Sequence, residues 1–221
     1  MKNLYDLIQV IEVYTGYLKK YGVKLNKEGF PILKRECFLD EWPALVVPYD
    51  YRNSKIVVNP RRTVLCLYTS DARIYPRLEK ILDDLCEYKR FMGAVASDIT
   101  ITQNMENDWQ NLIMLANQLY LAILAANGIK VLGNLRTGSQ GSLPNLKSTP
   151  CNVMWAAGFL GCEKDDMSDM RFISSVMFVR PSKMLLYGKE DENATEKLNT
   201  MGVDFRYYHD YHKSSKSKKY L

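Results

Sequence analysis

Apolar residues first recur along the chain at three- and four-residue steps. Leu4, Ile8, Ile11, Tyr14 and Leu18 share one face, which predicts a helix ending near Tyr21, just ahead of Gly22. Lys19 and Lys20 suit the negative end of its dipole, while Gly16 weakens its last turn by about 1 kcal/mol relative to alanine. From Gly22 to Pro60 the periodicity breaks. Gly29, Pro31, Pro43, Pro48 and Pro60 punctuate a loop-rich segment with room for short strands only, at 44–47 and 55–58. After Pro60 the pattern turns regular. Residues 63–70 form a β-branched and aromatic run fit for a buried strand, and Leu78, Ile81, Leu82, Leu85 and Tyr88 give helical spacing over 74–89. A second short strand is expected at 91–96. A helix over 108–127 follows, with Asn107 or Asp108 as N-cap and Gly128 as its stop. Further strands are expected at 129–135, 151–159, 183–187 and 203–208, with helices near 169–179 and 194–201.

Short apolar strands alternating with helices predict an α/β fold: a mainly parallel sheet of repeated βα units, either open and doubly wound or a partial barrel, with an N-terminal helix and loop-rich extension. Six strand candidates fall short of the eight of a closed barrel unless the N-terminal segment supplies more. The expected division is an extension over 1–60, an α/β domain over 61–212 and a basic flexible tail over 213–221. The most apolar stretch, Leu112 to Ala126, is shorter than the ~18 residues that span a bilayer, and Asn117 and Gln118 interrupt it. It reads as a buried helix, with contact to a partner or a second copy of the chain as the alternative.

Composition changes this picture little. At 221 residues, 47% hydrophobic and 25% charged, the chain is an ordinary globular protein. Its net charge of +5 is concentrated at one end, where Lys213, Lys216, Lys218 and Lys219 crowd the last nine residues. That tail is either a solvated terminus or an arm that touches phosphate. Five cysteines at irregular spacing favour free thiols in a reducing compartment, and the N-terminus lacks the apolar run of a secretory signal. A cytoplasmic setting is expected, with no membrane association.

Candidate chemistry lies where strands end, because ligands of parallel sheets sit at the carboxyl ends of the strands. The first of the regular strands ends in Ser70 and Asp71, with Arg73 following. The second ends in Ser97 and Asp98, the third in Asn134, Arg136, Thr137, Gly138 and Ser139, and the fifth in Tyr187. Two carboxylates on neighbouring strand ends, Asp71 and Asp98, could act as acid and base or hold a divalent ion. Each could equally cap a turn. Arg73 and Arg136 would then pair with these acids or face an anionic ligand. The stretch from Gly133 to Ser139 has the glycine spacing of a phosphate loop, but Ser139 stands where the lysine belongs, and Pro144 and Pro150 replace the helix. His209 and His212 flank Asp210 without matching a zinc set, so no metal site is expected. Cys151 and Cys162 read as small core residues. Tyr187, Phe205, Tyr207, Tyr208 and Tyr211 suit either packing or base stacking.

The order of the pieces carries a resemblance. Phe30-Pro31-Ile32-Leu33-Lys34-Arg35, Val47-Pro48-Tyr49-Asp50-Tyr51-Arg52-Asn53-Ser54-Lys55, Asp98-Ile99-Thr100, Gly128-Ile129-Lys130-Val131-Leu132-Gly133-Asn134 and Pro181-Ser182-Lys183-Met184-Leu185-Leu186-Tyr187-Gly188 together resemble an uncharacterised family carried by phages and mobile elements of Gram-positive bacteria. That family has Pro-Asp-Phe-Ser where this chain has Ser97-Asp98-Ile99-Thr100, so Asp98 is the matching position. It also has a tryptophan where this chain reads Leu135-Arg136-Thr137. The resemblance implies a mobile-element setting in a bacterial host cell but no reaction, cofactor or catalytic residue. The leading expectation is therefore a protein that binds a phosphate-bearing ligand, a nucleotide or nucleic acid, at the strand-end rim, through Ser70, Arg73, Ser97, Asn134, Arg136, Ser139 and Tyr187. The alternatives are an enzyme using Asp71 and Asp98, and an interaction module without a small ligand.

Overall fold

The computed structural model describes residues 4–159 and 170–216. Seven strands form one sheet in chain order: β1 Leu45–Pro48, β2 Thr63–Cys66, β3 Gly93–Val95, β4 Val131–Asn134, β5 Met154–Phe159, β6 Lys183–Gly188 and β7 Phe205–Tyr208. Every neighbouring pair is parallel, so each connection must return the chain to the start of the next strand. Helices among the described residues make most of those returns. The described helices are α1 Leu4–Lys20, α2 Asp71–Glu79, α3 Ile81–Tyr88, α4 Asn107–Ala126, α5 Met170–Val179, α6 Glu192–Thr200 and α7 Tyr211–Lys216, of which α2 to α6 lie between strands.

Strand alternation sorts the apolar side chains into two cores. One face of the sheet sends Leu45, Val47, Leu65, Ala94, Val131, Trp155, Leu186 and their neighbours against α1 to α6, whose buried apolar residues join this cluster. Among the described residues, no helix contributes to the core on the other face. Its cluster comprises Val46, Val64, Cys66, Val95, Leu132, Met154, Ala156, Leu185 and Tyr187 from β1 to β6, joined by Leu39 and Tyr68, with Tyr208 of β7, Trp42 and Met92 packed on it. Flat, a sheet would hold β2 and β6 roughly 19 Å apart, at about 4.8 Å per strand. Tyr68 at the end of β2 nevertheless stacks on Tyr187 of β6 with ring centroids 5.5 Å apart. The sheet is therefore curled nearly into a barrel, and this second core is its interior.

The first and last strands meet through side chains. Arg206 lies over the Trp42 ring at 4.7 Å, the Tyr208 hydroxyl donates to the Pro43 carbonyl at 2.8 Å, and Tyr51 stacks on Tyr211 at 3.7 Å with the rings 7° from parallel. The N-terminal segment thus supplies a strand to the sheet, and α1 packs on α4. A boundary at residue 60 falls between two hydrogen-bonded strands, β1 and β2.

Several elements differ from the sequence reading. Residues 55–58 form turns, not a strand. The strand expected at 63–70 pairs only as far as Cys66, because Leu67 to Ser70 lead out of the sheet into α2. The helix expected over 74–89 is two helices broken at Lys80, whose φ of −103° and ψ of 8° leave the helical region. Glu106 is the N-cap of α4, in place of Asn107 or Asp108. Residues Gln140–Ser148, for which the pattern predicts no element, wind into a 3-10 helix lying on α4. The apolar helix from Leu112 to Ala126 is covered by α1 and by that segment, so its burial needs no second copy. Lys213 and Lys216 sit within α7, and Lys218, Lys219 and Cys162 lie outside the described residues.

Gly158 of β5 faces the interior, and a Cβ placed there would lie 2.4 Å from the Tyr68 ring. The Gly158→Ala variant should therefore lose about 1–3 kcal/mol of stability in urea denaturation, the usual cost of overpacking. Pairing it with Tyr68→Leu should recover part of the loss, and a Gly158→Ala protein as stable as the parent would contradict the curled interior.

Candidate functional site

All strands point the same way, so the expected rim residues gather at one end of the curled sheet, where they have different fates. Asp98, one residue past buried Ser97 at the end of β3, accepts a hydrogen bond from Asn134 Nδ2 at 2.7 Å and forms an ion pair with Arg136 Nε at 3.7 Å. Asn134 closes β4 with its side chain turned inward. Its Nδ2 also donates to the Ser97 carbonyl at 3.1 Å, while its Oδ1 accepts from the Tyr68 hydroxyl at 3.3 Å. Tyr68, Asp98, Asn134 and Arg136 thus form one network across the ends of β2, β3 and β4.

Asp98 keeps only 13% of its side chain exposed and Arg136 29%. Burial drives the Asp98 carboxyl up to about 6, against the opposing pull of Arg136 and the Asn134 hydrogen bond and with a push from the Asp71 charge. The Tyr68 hydroxyl is raised well above its ordinary value, by burial first and then by the Asp98 charge. Tyr187 is fully buried and raised chiefly by that burial, and its oxygen accepts the backbone N–H of Tyr211 at 2.8 Å.

Asp71 has another task. Its Oδ1 accepts the Thr100 backbone N–H at 3.1 Å and the Thr100 hydroxyl at 3.0 Å, and its Oδ2 accepts the Tyr75 hydroxyl at 3.3 Å. It ties the start of α2 to the loop after β3. Ser70 precedes α2 as its N-cap without a side-chain capping bond, and Arg73 is exposed. Ser139 is drawn to α4: its backbone N–H and hydroxyl both donate to Gln110 Oε1, at 2.7 and 3.1 Å. The same Gln110 donates through Nε2 to the Met105 carbonyl at 2.7 Å, so one buried amide clasps the loops after β3 and β4. Lys213 and Lys216 are exposed on α7. Among the described residues, no three His, Cys, Asp or Glu side chains cluster as metal ligands would, and no helix is long and apolar enough to cross a membrane.

Beside this network a small cavity opens between the ends of β3 and β4 and the flank of α4. Met114, Leu121 and Leu146 give it apolar walls, and Ser97, Asn117, Gln118, Asn134 and Arg136 give it polar ones. The space open to the centre of a water molecule is about 10 Å³, room for one water or one ligand oxygen. Tyr68, Asn117 and Gln118 are the site residues that strand-end reasoning misses. The signal for the two amides was present as the adjacent polar pair interrupting the most apolar helix. Tyr68 is indistinguishable from a packing aromatic in a strand-like run.

The position of Asp98 has a measurable consequence. Its folded value of about 6 lies above the ~3.9 of an unfolded aspartate. Between those values the folded state holds the proton more tightly, so this group's contribution to stability falls as pH rises from 4 to 6. Relative to Asp98→Asn, the wild type should lose about 2 kcal/mol between pH 4 and 7, at about 1.4 kcal/mol per pKa unit. Urea denaturation of both proteins across that range tests this, and parallel stability curves would refute it. No family model matches the chain, and neither the curated proteins nor the solved structures hold a significant match to it.

Proposed function

We propose that the mouth of the curled sheet binds a phosphate-bearing ligand, a nucleotide or nucleic acid, and that Arg136 meets its charge. The observation that carries this reading is the buried pairing of Arg136 with Asp98 beside an open polar cavity at the strand ends. A guanidinium held there offers fork-shaped donors to an oxyanion in a site of low dielectric. An anion arriving at Arg136 takes over the charge balance that Asp98 provides. Because Asp98 titrates near neutrality, it can take up a proton as it gives up its partner, and the filled site then carries no surplus buried charge. The mobile-element setting implied by the sequence resemblance accords with a nucleotide or nucleic-acid ligand.

A second reading, acid or base catalysis by Asp98, is favoured by the same carboxyl standing near 6. It rests on Asp98 without Asp71, whose oxygens are engaged by Thr100 and Tyr75. Turnover of a phosphate-bearing substrate, followed by phosphorus NMR and abolished in Asp98→Asn with binding retained, would select this reading.

Thermal denaturation with nucleotides and pyrophosphate tests the binding reading. A ligand at a hundred times its Kd should add about 2.7 kcal/mol of stability. In the double variant Asp98→Asn, Arg136→Gln, which leaves no orphaned charge, that gain should vanish. A ligand-induced shift of equal size in the double variant would overturn the reading. If the ligand is duplex DNA, removing residues 213–221 should flatten the salt dependence of binding by about 0.9 for each lost phosphate contact. An unchanged slope would exclude the lysine tail from binding.

A further inference from the structure

Asn117 and Gln118 sit side by side in a helix whose other buried residues are almost all apolar, and each is only 7% exposed. Packing alone would place apolar side chains at such positions. Their oxygens are already committed. Asn117 Oδ1 accepts the hydroxyl of the fully buried Ser97 at 2.6 Å. Gln118 Oε1 accepts the Thr149 hydroxyl at 3.2 Å and the Ser148 hydroxyl at 3.3 Å. With the amides turned this way, neither NH2 group has a hydrogen-bond partner among the described residues. Both residues line the cavity that Arg136 also lines. The Asn134 amide on the same wall has both its ends occupied, by Tyr68 on the oxygen and by Ser97 and Asp98 on the nitrogen. The surplus hydrogen-bonding capacity facing this space is therefore donor capacity.

From this we infer that the cavity is an oxyanion subsite for a terminal phosphate, one oxygen of which enters between the amide nitrogens of Asn117 and Gln118 while the rest of the group faces Arg136. The inference rests on the binding reading above and narrows it to phosphomonoesters and free phosphate. The space there has room for one oxygen. A carboxamide NH2 presents two donors and no acceptor, so the site favours an oxygen that carries no proton over a hydroxyl that must also donate. Gln118 and Asn117 act as specificity residues and Arg136 as the charge partner.

Calorimetric titration with inorganic phosphate, with a nucleoside 5′-monophosphate and with a dinucleotide diester tests the assignment at pH 7.5. Free phosphate, the monoester or both should bind and the diester should not; whichever of the two binds more tightly identifies the source. Gln118→Glu and Asn117→Asp keep the acceptor oxygen for the hydroxyls and replace the donor with a carboxylate oxygen, so each should weaken binding at least tenfold. Independently of any variant, the side-chain NH2 resonances of Asn117 and Gln118 in the wild-type protein should shift as phosphate is added. Equal affinity for the diester, unchanged affinity in a folded Gln118→Glu protein, or NH2 resonances that stay put while Arg136-dependent binding persists would overturn the subsite and leave the broader reading standing. Absence of binding by any phosphate-bearing ligand to the wild type would overturn both.

Discussion

Seven parallel strands laid down in chain order gather their connecting helices on one face of the sheet, because successive crossovers of one hand all pass over the same side. The opposite face is left to close on itself and on the few loop residues packed there. Its side chains are apolar from β1 to β6, and curling is the way to take them out of water. Tyr68 shows how tight that solution is, with its ring against Tyr187 four strands away and against Gly158 of β5, where a Cβ would lie 2.4 Å from it. The same curl draws the ends of β2, β3 and β4 together at the mouth. Tyr68, Asn134 and Asp98 can hydrogen-bond in series there because the interior has no room to keep them apart.

The mouth runs against the preference of charges for water. Asp98 and Arg136 are both largely withdrawn from solvent, and their pairing at 3.7 Å is looser than a close hydrogen-bonded salt bridge. Its attraction offsets only part of the cost of desolvation, which is why the Asp98 carboxyl remains elevated beside a guanidinium. A fold that needed only stability would gain by apolar replacements at such a place. The polar residues around it are individually supported: Asn134 by Tyr68, Asn117 by Ser97, and the Ser139 loop by Gln110. Such support holds side chains in one orientation, the requirement for recognising a small group.

The sheet from Thr63 to Tyr187 is legible in the sequence because each strand there is a short apolar run followed by a helical period, and parallel pairing follows from that alternation. β1 is harder to see. Leu45–Pro48 stands among prolines and turns, and only its pairing with β2 and the long-range contacts of Trp42, Tyr51 and Tyr208 make it part of the sheet. The two Ser-Asp strand endings are alike in sequence and unlike in space. Ser70 and Asp71 open a helix, whereas Ser97 and Asp98 face a strand that ends in an amide and is followed by a guanidinium. That difference is set by the neighbouring strand's register, which no local pattern encodes. Asn117 and Gln118 register in the sequence as flaws in a membrane-like stretch, and their purpose emerges only once the loop carrying Ser148 and Thr149 folds across α4.

The seam between β1 and β7 also bears on the order in which the molecule assembles. The hydroxyls of Tyr208 and Tyr211 reach Pro43 and Ser54 across 165 and 157 residues of chain. The entropy of closing so long a loop is met late, after the nearer strand pairs have formed. As the chain leaves the ribosome, the open edge of β1 waits for Tyr208 and Tyr211 to emerge before it is shielded. Over that interval the nascent sheet is an uncurled ribbon with an uncovered apolar face, the form most prone to sticking to other chains. Tyr208 and Tyr211 thus act as the clasp that joins the two edges of the curl.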